Sequence, residues 1–256
     1  MQEYWENYLK SIDGHEAIVS FNAGISDGVP HQEFRYVGFV KIILKNKTKD
    51  GLITKDESSD ISFIEDQIEM ESLRWRTGQY IGRIISNNEV NFIYYLKLDF
   101  EWSNTVFSAM KKFDDYKYEY GSRIDTEWDV YKKLLFPTVK EWQSIVNQHA
   151  CDNLKKQGDN LDIPRAIEHK VYFTSKEKRM NFIKTIKLKD FLIQKESETP
   201  FKNRIMYGVS FYKIDKCLYP IINKRTLDII NICNQYDGQY DGWECSLTKR
   251  LIEIKD

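Results

Sequence analysis

A chain of 256 residues that is 41% hydrophobic and 14% aromatic can fill more than one packed core, and two domains of about 100–150 residues fit that length. Charged residues make up 30% with both signs mixed, which excludes a disordered chain, and the net charge of −1 excludes a dedicated, strongly basic nucleic-acid binder. The charge is unevenly shared: residues 1–140 hold 18 Lys+Arg against 23 Asp+Glu, whereas residues 141–256 hold 20 against 16.

The apolar run Ala17-Ile18-Val19-Ser20-Phe21 predicts a first strand over His15–Ala23, and Asp27-Gly28-Val29-Pro30 a loop. Phe34, Tyr36, Gly38, Val40, Ile42 and Leu44 share one face at period two, the pattern of a second strand. Residues 46–60 are polar and loop-like. Ser59 or Asp60 then caps a helix lined by Ile61, Ile64, Ile68 and Leu73. Strands over Gln79–Ser86 and Val90–Leu98 flank Asn87-Asn88, a good hairpin turn. Trp102, Val106, Ala109, Met110 and Phe113 give a second helical stripe, and Tyr116–Gly121 a closing strand. From the second strand onward this half reads β-α-β-β-α-β.

Arg123–Pro137 is a junction in which Thr126 and Asp129 make a capping box, with Trp128, Tyr131 and Leu135 on one face. Pro137 starts a helix carrying Trp142, Ile145, Val146, His149, Ala150 and Leu154, which Gly158 ends. Ala166–Thr174 is a strand with Ile167, His169, Val171 and Phe173 on one face. Ser175 caps a helix with Met180, Phe182, Ile183 and Ile186. Strands over Asp190–Lys195 and Arg204–Ile214 are joined by a polar loop through Pro200, and Pro220–Tyr236 is a helix using Ile222, Leu227, Ile230 and Cys233. Two Asp-Gly turns, Asp237-Gly238 and Asp241-Gly242, lead into a last strand, Trp243–Leu247, and pin Tyr240 and Trp243 against the sheet. The second half therefore repeats the order. The expected architecture is α+β: two tandem ferredoxin-like βαββαβ domains, the N-terminal one with an extra strand, bridged by helices.

No catalytic constellation stands out. His149 and Cys151 are two apart on a helix and do not face each other. Cys151, Cys217, Cys233 and Cys245 have neither zinc-ribbon nor disulfide-framework spacing. Asp125-x-Glu127-x-Asp129 lacks the Gly and Glu of a calcium loop. Asp237-x-Gln239-x-Asp241-Gly242 places its Gly correctly but lacks the ligand charge. The strand Tyr207-Gly208-Val209-Ser210-Phe211-Tyr212 echoes an RNA-stacking strand in part, without its leading basic-Gly pair, so direct nucleic-acid binding is disfavoured. His169 reads as a hydrogen-bonded, partly buried histidine, and Arg165 as an exposed charge. The phosphate-loop, dinucleotide, zinc-protease and nucleophile-elbow motifs are absent. No cofactor and no metal is expected. The first residues are not a signal peptide, no run is long and apolar enough for a membrane span, and the chain reads as cytoplasmic.

Gly158-Asp159-Asn160-Leu161-Asp162-Ile163-Pro164-Arg165-Ala166-Ile167-Glu168-His169, with Tyr172-Phe173 after it, resembles the opening of the regulator of ribonuclease E activity B family. Gly238-Gln239-Tyr240-Asp241-Gly242-Trp243-Glu244 is similar to that family's closing motif, so the resemblance covers about residues 141–250. Tyr4-Trp5, Gly51-Leu52, Tyr80-Ile81-Gly82-Arg83 and Asp125-x-x-Trp128-x-x-Tyr131 resemble an uncharacterised bacterial domain often fused ahead of it. The domains are accordingly placed at 1–138 and 139–256. The resemblance implies a ferredoxin-like C-terminal domain in a non-catalytic protein that binds and restrains an RNA-processing ribonuclease. Arg165, His169, Tyr240, Asp241 and Trp243 are the residues expected at the partner site. A toxin-sequestering immunity-type protein, an RNA-binding protein and an enzyme with an unrecognised site stand as alternatives.

Overall fold

The computed structural model describes residues 4–202 and 204–248. The chain divides into two compact units, Met1–Glu141 and Trp142–Asp256, and the whole is α+β with two antiparallel sheets.

The first unit runs β1 (Trp5–Ile12), β2 (His15–Asn22), β3 (Tyr36–Ile43), α1 (Lys55–Trp75), β4 (Gly78–Ser86), β5 (Glu89–Leu96), α2 (Trp102–Met110) and β6 (Tyr118–Ile124). Its sheet order is β1-β2-β4-β5-β3-β6. Two strands, β1 and β2, therefore extend one edge where a single extra strand was expected. In β1 the buried positions are Glu6 and Tyr8, while apolar Trp5 and Leu9 face outward, so the strand's apolar pattern is inverted.

Helix α1 begins at Lys55, not after Ser59 or Asp60. Thr54 Oγ1 caps it by accepting from Glu57 N at 3.3 Å. The Glu57 carboxylate is buried because the backbone N–H groups of Lys45 (2.7 Å) and Asn46 (3.0 Å) donate to it. Ile61, Ile64 and Ile68 fill the core with Val40, Ile42, Phe92, Trp102 and Val106. Leu73 does not join them: it is exposed, and Ser72 takes the inward place and bonds Thr77 and Gly78.

The junction is capped by Asp125, not Thr126. Its carboxylate accepts from Asp129 N (2.9 Å), Val130 N (3.0 Å) and Tyr95 Oη (2.5 Å). A π-helical turn, Val130–Leu135, follows, and Trp128, Tyr131 and Leu135 are all buried. These contacts give the Asp125/Trp128/Tyr131 spacing its physical content.

In the second unit, α3 (Val139–Lys156) is followed by β7 (Arg165–Phe173), α4 (Lys176–Lys187), β8 (Leu192–Phe201), β9 (Arg204–Asp215), α5 (Tyr219–Asn234) and β10 (Gln239–Cys245). The sheet order is β10-β7-β9-β8, the same relative order as β6-β3-β5-β4 in the first unit. The core face carries Val171, Phe173, Val209 and Phe211 against Phe182, Ile186 and Ile229.

Three expectations are corrected here. The face α3 buries carries Ile145, Asn147 and Cys151, while Trp142, Val146 and His149 are exposed. Met180 is exposed, and Arg179 points inward to donate to Ser197 O (3.1 Å) and Gly208 O (3.4 Å) while pairing with Glu196 at 2.7 Å. The polar stretch through Pro200 is strand rather than loop, because β8 is an edge strand that tolerates proline opposite Ile205. No helix among the described residues is long and apolar enough to cross a membrane.

Candidate functional site

The five residues singled out from the sequence converge on β7 and β10. Strand β10 starts at Gln239, so Asp241-Gly242 is not a turn before the last strand but a bulge inside it. Tyr240 pairs with Val171, Gly242 with Lys170 and Trp243 with His169, leaving Asp241 as the extra residue. Two positions three apart normally lie on opposite faces of a strand. The inserted residue restores parity, so Tyr240 and Trp243 both face the core. Gly242 makes this possible with φ +131°, a conformation open essentially to glycine alone.

Each aromatic ends on a polar anchor. Trp243 Nε1 donates to Asn147 Oδ1 at 2.9 Å, and Asn147 Nδ2 in turn donates to Thr226 Oγ1 at 2.6 Å and Asn223 Oδ1 at 3.0 Å. Tyr240 Oη and His169 Nδ1 share a hydrogen bond at 2.9 Å. His169 is 2% exposed and packed by Phe211 and Phe191, so it is more deeply buried than expected. Arg165 is corrected from exposed to buried. It stands two residues before Ile167 and four before His169, on the same inward face, and makes a two-pronged pair with Asp159 (2.9 and 2.7 Å). Thr248 Oγ1 closes the pair by donating to Asp159 Oδ1 at 2.6 Å. Burial alone would raise the Asp159 pKa, but the Thr248 and Arg165 hydrogen bonds outweigh it and hold the carboxyl below its ordinary range.

Burial pushes the His169 pKa down to about 3, and the Arg225 charge lowers it further in the same direction. The folded pKa lies below the unfolded value near 6.5, so the stabilisation is complete above pH 6.5 and lost as pH falls toward the folded value. Stability of the second unit should fall by about 2–3 kcal/mol between pH 7 and pH 4.5 from this group alone. Denaturant unfolding across that range measures it. His169→Gln should flatten the slope, and an unchanged slope in that variant would assign the pH dependence elsewhere.

The opposite face of the β10-β7-β9-β8 sheet carries Lys170, Tyr172, Ser210 and Tyr212. A shallow depression there is lined by Glu168, Lys170, Ser210, Asp241 and Glu244. Glu168 and Glu244 are direct cross-strand partners, an arrangement that costs stability because like charges stand opposite each other. Asp241, placed outward by the bulge, adds a third carboxylate. Tyr172 lies over Gly208, where an added Cβ would crowd Ser197 Oγ and approach the Tyr172 ring to 3.0 Å, so a larger residue there would have to shift both side chains. Glu168 and Glu244 were not among the residues expected at the partner site, although alternation against Ile167, His169, Trp243 and Cys245 places both on this face.

Other candidates resolve differently. Cys151 is buried, and burial pushes its thiol up to about 11, so it is no nucleophile, while His149 lies on the exposed side of α3. Asp237 lies in the turn after α5 and Gln239 begins β10, so those residues form no calcium loop, and no metal-binding cluster exists among the described residues. Phe211 of the RNA-like strand is fully buried against the helices and offers no base a stacking face.

Residues 3–136 match the family described as "Family of unknown function (DUF695)", and residues 144–245 match "Regulator of ribonuclease activity B". No curated protein matches the chain. Among solved structures, the chain is similar to an "Unknown Protein from Galdieria sulphuraria" at 9% identity over 82% of this chain and 97% of that one, TM-score 0.23. It is likewise similar to a "putative glycine cleavage system transcriptional repressor" at 9% identity over 84% and 98%, TM-score 0.23. Likeness at that level carries no argument.

Proposed function

We propose that this chain, which belongs to the DUF695 family of unknown function, is a non-catalytic regulatory protein whose second unit binds and restrains a ribonuclease. The match of residues 144–245 to the regulator of ribonuclease activity B family carries this reading. Both units read as ferredoxin-like on their shared element order and strand order, the first with a hairpin added at its edge. They act as separate domains, 1–138 and 139–256, in a cytoplasmic protein.

The partner face is the open side of the β10-β7-β9-β8 sheet. The basic balance of residues 141–256 hides a local excess of carboxylates, Glu168, Asp241 and Glu244 around Lys170, and that charge suits a basic docking segment on the nuclease. Asp241 makes direct contact in this reading. Tyr240, Trp243, His169 and Arg165 hold the bulged strand in place from the core side.

Immobilised full-length protein should retain an RNA-cleaving activity from a native lysate at low salt and release it as salt rises. Recovery of no ribonuclease above background would remove the reading.

A further inference from the structure

The cysteines are widely spaced in sequence, yet the fold brings two of them into contact. Cys217, in the segment between β9 and α5, and Cys245, at the end of β10, place their sulfurs 3.4 Å apart. Cys217 is fully buried and Cys245 partly open. Cys151, Ile167, Ile222 and Trp243 pack around the pair. The Arg165 guanidinium, fixed by its pair with Asp159, also interacts with Cys245. The partner-binding reading makes no use of this arrangement.

A thiol reacts as its thiolate, so charge and exposure decide which cysteine can be attacked. The hydrogen bond from the Cys217 thiol favours the Cys245 thiolate first. Burial opposes it, and the Arg165 charge then reinforces it, with a net lowering of the Cys245 pKa. The same hydrogen bond keeps the proton on Cys217. Burial pushes Cys233 up to about 12 and Cys151 up to about 11, so those two are inert by comparison.

We propose that Cys217 and Cys245 form a hydroperoxide-sensitive dithiol, with Cys245 as the nucleophile and Cys217 as the resolving thiol. The Cys245 thiolate attacks one oxygen of hydrogen peroxide. The O–O bond breaks, Cys245 becomes a sulfenic acid, and the departing hydroxide takes a proton to become water. The Cys217 sulfur then attacks the sulfenic sulfur; a disulfide forms, and the displaced hydroxyl leaves as a second water with the Cys217 proton. Two thiols are oxidised and one peroxide is reduced. Closing the bond brings the sulfurs from 3.4 Å to about 2.05 Å. The bond ties the end of β10, which carries Glu244 on its other face, to the segment leading into α5. In a reducing compartment such a pair is transient and sensing rather than structural.

The test treats reduced full-length protein with hydrogen peroxide, blocks remaining thiols with iodoacetamide, and maps peptides without reductant. The expected result is a Cys217–Cys245 linked peptide with the loss of two hydrogens, reversed by dithiothreitol. Without peroxide, Cys245 should alkylate at least about tenfold faster than Cys233 at neutral pH. In Cys217→Ser, Cys245 should stop at the sulfenic acid and be trapped by dimedone. The proposal is overturned by a Cys245 that stays a thiol under peroxide, by linkage to Cys151 or Cys233 instead, or by a Cys217→Ser protein that still forms an internal disulfide.

Discussion

Inserting one alanine between Gly242 and Trp243 is expected to cost the second unit about 3–5 kcal/mol, the range for losing a large buried aromatic. The insertion moves Trp243 and Cys245 to the open face, because one residue of slip exchanges the two sides of a strand. Trp243 then leaves the Cys151/Ile167/Ile222 cluster, and Asn147, fully buried, loses the indole that donates to it. Deletion of Asp241 is the opposite case. Gly242 already pairs with Lys170 and Trp243 with His169, so removing the extra residue leaves a regular strand in the same register, at a cost below about 1 kcal/mol. Denaturant unfolding of the two variants decides the matter. A tolerated insertion, or a deletion as damaging as the insertion, would contradict the bulge as the device that sets both aromatics inward.

Trp128→Ala is expected to remove about 3–5 kcal/mol from the first unit, equivalent to a melting temperature roughly 10–20 °C lower. The ring is fully buried and stacks on Tyr95 with centroids 3.7 Å apart and planes 8° from parallel. Its Nε1 donates to Phe34 O at 2.9 Å, so truncation also leaves a partly buried carbonyl without that donor. The stack holds the Tyr95 hydroxyl against Asp125, whose carboxylate caps the π-helical turn that places Tyr131 and Leu135. Trp128→Phe should recover part of the loss, since it keeps a ring on Tyr95 but not the bond to Phe34. A Trp128→Ala protein melting within a degree or two of wild type would show that this packing carries little of the unit's stability.

Several features were legible because one local signal acted alone. Asn87-Asn88 joins β4 to β5 with both residues at positive φ, and the α2 stripe from Trp102 to Met110 is buried as spaced. Ile167, His169, Val171 and Phe173 alternate inward as read. Several misses share a cause: a polar or charged side chain facing the core, which breaks the apolar pattern. Glu6 does so in β1, Arg179 in α4, Asn147 in α3 and Arg165 at the start of β7. Asn147 is satisfied by Trp243 and Asn223, and Arg179 by Ser197 and Gly208, partners distant in sequence that leave no local signature, whereas Arg165 pairs with Asp159 only six residues before it. The Arg165 position could have been read, since the alternation of β7 extends one step further back. The bulge at Asp241 could be read only by noticing that Tyr240 and Trp243 sit at an odd spacing and both need cover. The Cys217–Cys245 contact depends on the β7–β10 pairing and the placement of α5, which no spacing announces.

The proposed engagement of a ribonuclease by the carboxylate face of the second sheet is open to a direct functional test. The most direct measurement compares wild-type protein with a Glu168→Lys/Asp241→Lys/Glu244→Lys variant for slowing of RNA cleavage by the captured, purified nuclease, after checking that both unfold at the same denaturant concentration. The account predicts that wild type slows cleavage in a saturable way and that the variant needs at least about tenfold more protein for the same effect. Equal inhibition by both proteins would place the contact elsewhere, and no inhibition by wild type would contradict the account outright.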